Sequence, residues 1–133
     1  MNVQGFSHVT IRVSNLERSL DFYCGFLGMT LKHKGRTDAY LEWGNAWVCL
    51  LERPVAEADR EARSRQPGVD HVAFHIREED FPEAAEKIRR SDTVVVRGPV
   101  RRGKGWSINF LDPDGTELEL HTSNLQERLE VWK

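Results

Sequence analysis

Two histidines hold the same place in two halves of the chain. His8 stands in Gly5-Phe6-Ser7-His8-Val9 and His71 in Gly68-Val69-Asp70-His71-Val72. Ile11 and Val13 follow the first at alternate positions, Phe74 and Ile76 the second, which is the rhythm of a half-buried strand. Taken singly, each imidazole reads as a satisfied polar group at a strand end. The repetition points instead to one metal site built from both. A third ligand is found by the same symmetry. Near the C-terminus Glu117, Glu119 and His121 share one strand face, with Leu118 and Leu120 on the other. Glu117 reads as a water-facing carboxylate. Aligning Thr116-Glu117-Leu118-Glu119-Leu120 with Ala46-Trp47-Val48-Cys49-Leu50 sets Cys49 at the repeat-equivalent of Glu119. His8, His71 and Glu119 then make a facial set of two imidazoles and a carboxylate, leaving metal positions open to substrate.

The elements that must position these residues follow from periodicity. Residues 6–13 read as a strand, and Ser14 with Glu17 offers a capping box for a helix from Asn15 that carries Leu16, Leu20, Tyr23 and Leu27 and breaks at Gly28. Strands are expected at 29–34, 39–42 and 46–51. The second half repeats the order: a strand at 70–76, a helix at 80–90 starting near Pro82, and strands at 93–97, 106–111 and 117–121. Asp112-Pro113-Asp114-Gly115 is a turn signal. Each half is therefore βαβββ, an α+β plan. With 133 residues the chain is expected to be one domain: a first module at 1–52, a solvated, charged connector at 53–67, a second module at 68–122, and a C-terminal helix at 123–133. A formal charge of −2 shows no bias toward nucleic acid, and no apolar run is long enough to span a membrane. Two cysteines, Cys24 and Cys49, give no disulfide framework. With no leader pattern after Met1, a cytoplasmic protein is the expectation.

The paired βαβββ plan with His8, His71 and Glu119 resembles the vicinal oxygen chelate (glyoxalase-like) superfamily, and within it the fosfomycin-resistance metalloenzymes. The segments that carry the likeness span most of the chain. They are Gly5-Phe6-Ser7-His8-Val9-Thr10, Ala39-Tyr40-Leu41-Glu42, Trp47-Val48-Cys49-Leu50, Phe110-Leu111-Asp112-Pro113-Asp114-Gly115, and the more specific run Leu118-Glu119-Leu120-His121-Thr122 followed by Asn124-Leu125-Gln126-Glu127-Arg128-Leu129. The resemblance implies a divalent metal, usually Mn²⁺, with Fe²⁺, Mg²⁺, Zn²⁺ or Ni²⁺ as alternatives. It implies an anionic small-molecule substrate, an epoxide-bearing phosphonate opened by a thiol such as glutathione or by water, and a domain-swapped homodimer sharing its metal sites. Carried over residue by residue, Thr10 matches the threonine that hydrogen-bonds near the oxirane oxygen. Ser107 and Arg128 match residues that bind the phosphonate, and Tyr40 and Trp47 match aromatics that line the pocket.

Three positions depart from the glutathione-transferase branch. Asn109 stands where that branch has a substrate-binding tyrosine, Pro99 where it has a lysine, and Gly103 where it has a serine of its K⁺ loop. The basic segment 97–105 still carries Arg97, Arg101, Arg102 and Lys104, and reads either as an anion site or as a solvated hairpin tip. Asp38 falls near the base of the water-using branch and otherwise reads as a turn residue. Other members of the superfamily supply the alternatives. An extradiol dioxygenase would use the same ligand triad, a glyoxalase-like lyase would need a fourth ligand where Cys49 stands, and a drug-binding resistance protein would need no metal.

Overall fold

Alternation decides where the core lies. In the computed structural model, which describes residues 1–53 and 67–131, strand β1 (Val9–Val13) buries Ile11 and Val13 and exposes Thr10 and Arg12. The connector expected at 53–67 falls almost wholly outside the described residues, as do the last two residues of the expected C-terminal helix. The chain divides into two compact units, Met1–Arg65 and Gln66–Lys133.

In the first unit β1 is followed by a short helix α1 (Leu16–Leu20) and by β2 (Thr30–Lys34), β3 (Asp38–Trp43) and β4 (Ala46–Glu52). The sheet order is β1-β4-β3-β2, with β1 parallel to β4 and the other pairs antiparallel. One face buries Ile11, Val13, Ala39, Leu41, Val48 and Leu50, and α1 packs against β4 with Leu16 and Leu20 buried. The strand expected from residue 6 begins only at Val9, because β1 is an edge strand whose first partner on β4 is Val48. The cap also differs from expectation. Asn15, not Ser14, accepts from the Arg18 N–H, and Glu52 takes the Leu16 N–H at 2.7 Å, so a strand carboxylate does the work assigned to Glu17. Nor does one α-helix run on to Gly28. Beyond Leu20 it widens into a π-turn (Asp21–Phe26) that carries the fully buried Tyr23.

The second unit repeats the plan with β5 (Val72–His75), a 3₁₀ turn, α2 (Phe81–Arg90), β6 (Val95–Arg102), β7 (Gly105–Leu111), β8 (Glu117–His121) and a terminal helix α3 (Leu125–Glu130). Its order, β5-β8-β7-β6, again sets a parallel pair beside antiparallel ones. Phe74, Ile108, Phe110, Leu118 and Leu120 are buried on one face, and α2 contributes Phe81, Ala85 and Ile88. The basic segment 97–105, expected to be a loop, is mostly strand: β6 runs to Arg102 and only Gly103 and Lys104 turn the hairpin.

The turn between β7 and β8 is closed by backbone hydrogen bonds from Asp112 N–H to Thr116 O and from Gly115 N–H to Asp112 O, and braced by one side chain. Asp112 is buried, and its Oδ1 accepts from the N–H groups of Asp114 and Thr116, each at 2.9 Å. Asp112→Ala strands those donors, so we expect the unfolding free energy to fall by about 1–3 kcal/mol, read as a lower urea midpoint at unchanged slope. Among the described residues no helix is long and apolar enough to cross a membrane.

Candidate metal centre

Strand register makes the two sheets superposable residue by residue. In the first, Thr10 lies opposite Cys49 and Cys49 opposite Tyr40. In the second, Ala73 lies opposite Glu119 and Glu119 opposite Asn109. Thr10 and Ala73 each come two residues after a histidine. The correspondence of Cys49 with Glu119 found by aligning sequence segments is therefore also a correspondence of pairing. It adds one the alignment did not reveal, Tyr40 with Asn109.

In the second unit the polar groups converge on Glu119, whose carboxylate is buried on β8. Its Oε1 is 3.5 Å from His71 Nε2, and its Oε2 is 3.3 Å from His121 Nδ1 without a hydrogen bond between them. His71 Nδ1 is 2.7 Å from Asp70 Oδ2. A carboxylate only accepts, so Nδ1 is the donor to Asp70 and Nε2 is the ring nitrogen that faces Glu119. His121 is tied by Nε2 to Ser123 Oγ at 2.7 Å. Arg97 Nη2 lies 3.9 Å from Glu119 Oε1 and donates to Asn109 Oδ1 at 3.3 Å. Asn109 in turn donates to Glu117 at 3.0 Å. Glu117, expected to face water, is half-buried and paired, because β8 sets it beside the same polar face as Glu119. Asp70, His71 and Glu117 also offer ligand atoms within 4.8 Å of one another. We rank Glu119 above Glu117, since Glu117 already accepts from Asn109 and Asp70 is held by the far nitrogen of the ring.

In the first unit the equivalent face is open and aromatic. His8, exposed just ahead of β1, has Nδ1 2.9 Å from Ser7 Oγ and its ring 4.3 Å from that of Trp47. Trp47 is 6.0 Å from Tyr40, and Tyr40 is 5.3 Å from His33. Tyr40 and Trp47 are 40% and 43% exposed, too much for plain core residues. Both histidines thus have Nδ1 held by the preceding side chain, Ser7 or Asp70, and each leaves Nε2 for another partner. That second role of residue i−1 was missed in the sequence, although Ser7 and Asp70 stand at equivalent places. Asp38 opens β3 and is only half exposed.

The remaining sequence-predicted residues lie in the second unit. Ser107 on β7 is fully buried and its Oγ has no hydrogen-bond partner, a donor–acceptor kept dry at a cost. Arg128, half-buried on α3, lies over the β6–β7 turn, where a Cβ added to Gly103 would meet its Nη1 at 3.5 Å. Lys104 in that turn is ion-paired to Glu130, which raises its pKa chiefly through that hydrogen bond.

Comparison with known proteins sets these features in context. A family model described as the glyoxalase/bleomycin resistance protein/dioxygenase superfamily matches residues 5–120. The chain is 35% identical over 127 residues to the glutathione transferase FosA of Serratia marcescens, covering 96% of this chain and 86% of that one. It is 36% identical over 134 residues to the metallothiol transferase FosB of Lysinibacillus sphaericus, covering 100% of this chain and 92% of the relative. Among solved structures, the fosfomycin resistance protein FosX of Listeria monocytogenes, complexed with Mn(II) and sulfate, aligns with a TM-score of 0.77 at 25% identity over 97% of this chain and 98% of that one.

Proposed function

The chain belongs to the glyoxalase/bleomycin resistance protein/dioxygenase superfamily, and from that membership we propose that it is a metal-dependent fosfomycin-resistance enzyme, one that opens the epoxide of a phosphonate by adding a thiol such as glutathione, or water. The observation that carries this reading is the His71–Glu119 pair, a buried carboxylate 3.5 Å from an imidazole nitrogen whose ring is fixed by Asp70. Two imidazoles and a carboxylate, His8, His71 and Glu119, suit a borderline-hard divalent ion such as Mn²⁺ or Fe²⁺. The printed names of the relatives, a glutathione transferase and a metallothiol transferase, support thiol addition.

A divalent ion held there supplies Lewis-acid stabilisation of the oxygen released when the epoxide opens. The chain's own residues do the rest. As the incoming thiol sulfur or water oxygen bonds to an oxirane carbon the C–O bond breaks, and the proton lost by the nucleophile ends on the released oxygen, toward which Thr10 donates a hydrogen bond. Ser107 and Arg128 hold the phosphonate, a hydroxyl and a planar cation matched to a dianion. Asn109 lies on the same polar face as Glu119. Tyr40 and Trp47 line the site with aromatic rings. A homodimer with shared metal sites completes the proposal.

The test is phosphorus NMR of fosfomycin incubated with Mn²⁺-loaded protein, in separate samples with glutathione, cysteine, bacillithiol or no thiol. A new phosphonate resonance that requires metal is the expected result, and its thiol dependence names the nucleophile. No new resonance in any sample refutes the activity. A second expectation concerns metal alone. Asp70→Asn removes the carboxylate that orients His71, and should weaken Mn²⁺ binding by about 10- to 100-fold in an EPR titration.

A further inference from the structure

The two oxygens of the Glu119 carboxylate have different neighbours. Oε1 faces His71 Nε2 at 3.5 Å. Arg97, turned to this face by a bulge in β6 between Val95 and Arg97, is half exposed and holds its Nη2 3.9 Å from the same oxygen. Oε2 faces a different imidazole, with His121 Nδ1 at 3.3 Å. Neither the three metal ligands nor the phosphonate contacts make use of that ring. Its Nδ1 is nevertheless buried and has no hydrogen-bond partner, a condition that a fold rarely leaves without a use for the group.

The ring is held from its far side. His121 Nε2 is 2.7 Å from the Oγ of Ser123, which is buried just beyond β8. The chain there is fastened to the start of β7. Thr122 Oγ1 accepts from the Trp106 N–H at 2.8 Å, and the Thr122 N–H donates to the Trp106 carbonyl at 3.1 Å. Gly105 permits the approach, since a Cβ on it would lie 2.7 Å from Ser123 Cβ and 2.8 Å from Ser123 Oγ. Any larger residue would push Ser123 off the ring. The strand fixes the other end, because Glu119 and His121 stand two residues apart on one face of β8. Protonation follows from the partners. A carboxylate only accepts, so the ring serves Glu119 when Nδ1 carries hydrogen, and Nε2 then accepts from the Ser123 hydroxyl.

We propose that His121 is a positioning residue that takes Oε2 of Glu119 and leaves Oε1, on the His71 side, as the single oxygen given to the metal. A carboxylate free at both oxygens can chelate an ion and fill two of its positions; one held at Oε2 fills one. The position so kept is open to a substrate oxygen. The assignment rests on the reading of Glu119 as a metal ligand, and deepens it by naming the group that sets how many oxygens the ligand supplies. Arg97 cannot take this role, since it lies beside Oε1 and is hydrogen-bonded to Asn109.

Two measurements test it. The first needs neither a variant nor a metal: long-range proton–nitrogen NMR of the ¹⁵N-labelled imidazoles. Hydrogen on His121 Nδ1 is expected, and a ring protonated only at Nε2 overturns the assignment. The second is the relaxation of solvent protons by bound Mn²⁺, which counts the exchangeable waters on the ion. His121→Phe keeps a flat ring and removes both nitrogens. It should lose about one exchangeable water per ion, as Oε2 turns to the metal and displaces it. His121→Asn keeps an N–H near the place of Nδ1 and should retain the parental count. An equal count in His121→Phe and the parent overturns the assignment whatever the affinity does, since a ring that only supports packing changes affinity and not the count. An equal loss in both variants overturns it as well, because the N–H is then irrelevant. These failures leave Glu119 as a metal ligand intact, whereas a Glu119→Gln protein that keeps its Mn²⁺ overturns both. Folding of each variant is checked by circular dichroism, and the NMR measurement decides the matter where a variant does not fold.

Discussion

Glu119→Gln is expected to abolish stoichiometric Mn²⁺ binding and to lower metal-dependent turnover of fosfomycin by more than about 1,000-fold, the equivalent of several kcal/mol of transition-state stabilisation. The substitution keeps the volume of a side chain that is only 8% exposed and removes only its charge. Packing on β8 is therefore preserved, and the loss reads on the metal. Glu117→Gln is the matched control. It sits two residues away on the same strand and accepts a hydrogen bond from Asn109, and with Asp70 and His71 it forms the alternative cluster of ligand atoms. The expected result is that Glu117→Gln retains Mn²⁺ by EPR. The reverse, metal lost with Glu117→Gln and kept with Glu119→Gln, would move the centre to the cluster at the start of β5. A protein in which both variants keep the metal and turn over substrate would dismiss this face as the site.

That the choice between these two carboxylates was open to sequence reasoning at all follows from the strand period of two. Glu117, Glu119 and His121 had to share a face, and the leucines between them fixed which face was core. The same rule predicted both sheets, since Ile11, Val13, Phe74, Leu118 and Leu120 alternate with polar residues and are the ones buried. It failed wherever the chain departs from its own period. Read as a regular strand, Val95 and Arg97 share a face, and Arg97 appears as one more cation of a hairpin tip. Only the bulge at Val96 separates them, and nothing in Val94-Val95-Val96-Arg97 marks which valine is the extra one. The π-turn after Leu20 is hidden for a similar reason. Leu16, Leu20, Tyr23 and Leu27 satisfy a helical spacing, and the widening shows only in hydrogen bonds such as Leu27 N–H to Phe22 O. Capping was misread because the true partner of the Leu16 N–H, Glu52, is distant in sequence. Asp70, by contrast, was legible and overlooked: a carboxylate just before one repeated histidine, with a serine before the other, is a pattern of the sequence itself.

Mixing His8→Ala and His71→Ala chains should restore activity that neither variant has alone. Under the proposed sharing of metal sites, each centre takes His8 from one chain and His71 with Glu119 from the other. In a mixed dimer one centre then lacks both histidines, while the other receives His8 from the His71→Ala chain and His71 with Glu119 from the His8→Ala chain. With random exchange at equal concentrations, about a quarter of parental activity is expected, since half of the dimers are mixed and each has one intact centre of two. Mn²⁺ bound per chain should rise by the same fraction, a readout that does not depend on the reaction. Each centre built within one chain predicts silence in every mixture, because both chains are then defective. Subunit exchange has to be shown independently, with differently tagged chains recovered together, so that silence is read as chemistry and not as failure to mix. A control pairing the parent with the double variant His8→Ala/His71→Ala sharpens the assignment. In its mixed dimers sharing leaves each centre short of one histidine, whereas self-contained centres keep the parent's own site whole, so with random exchange sharing leaves about a quarter of parental activity and self-contained centres about a half.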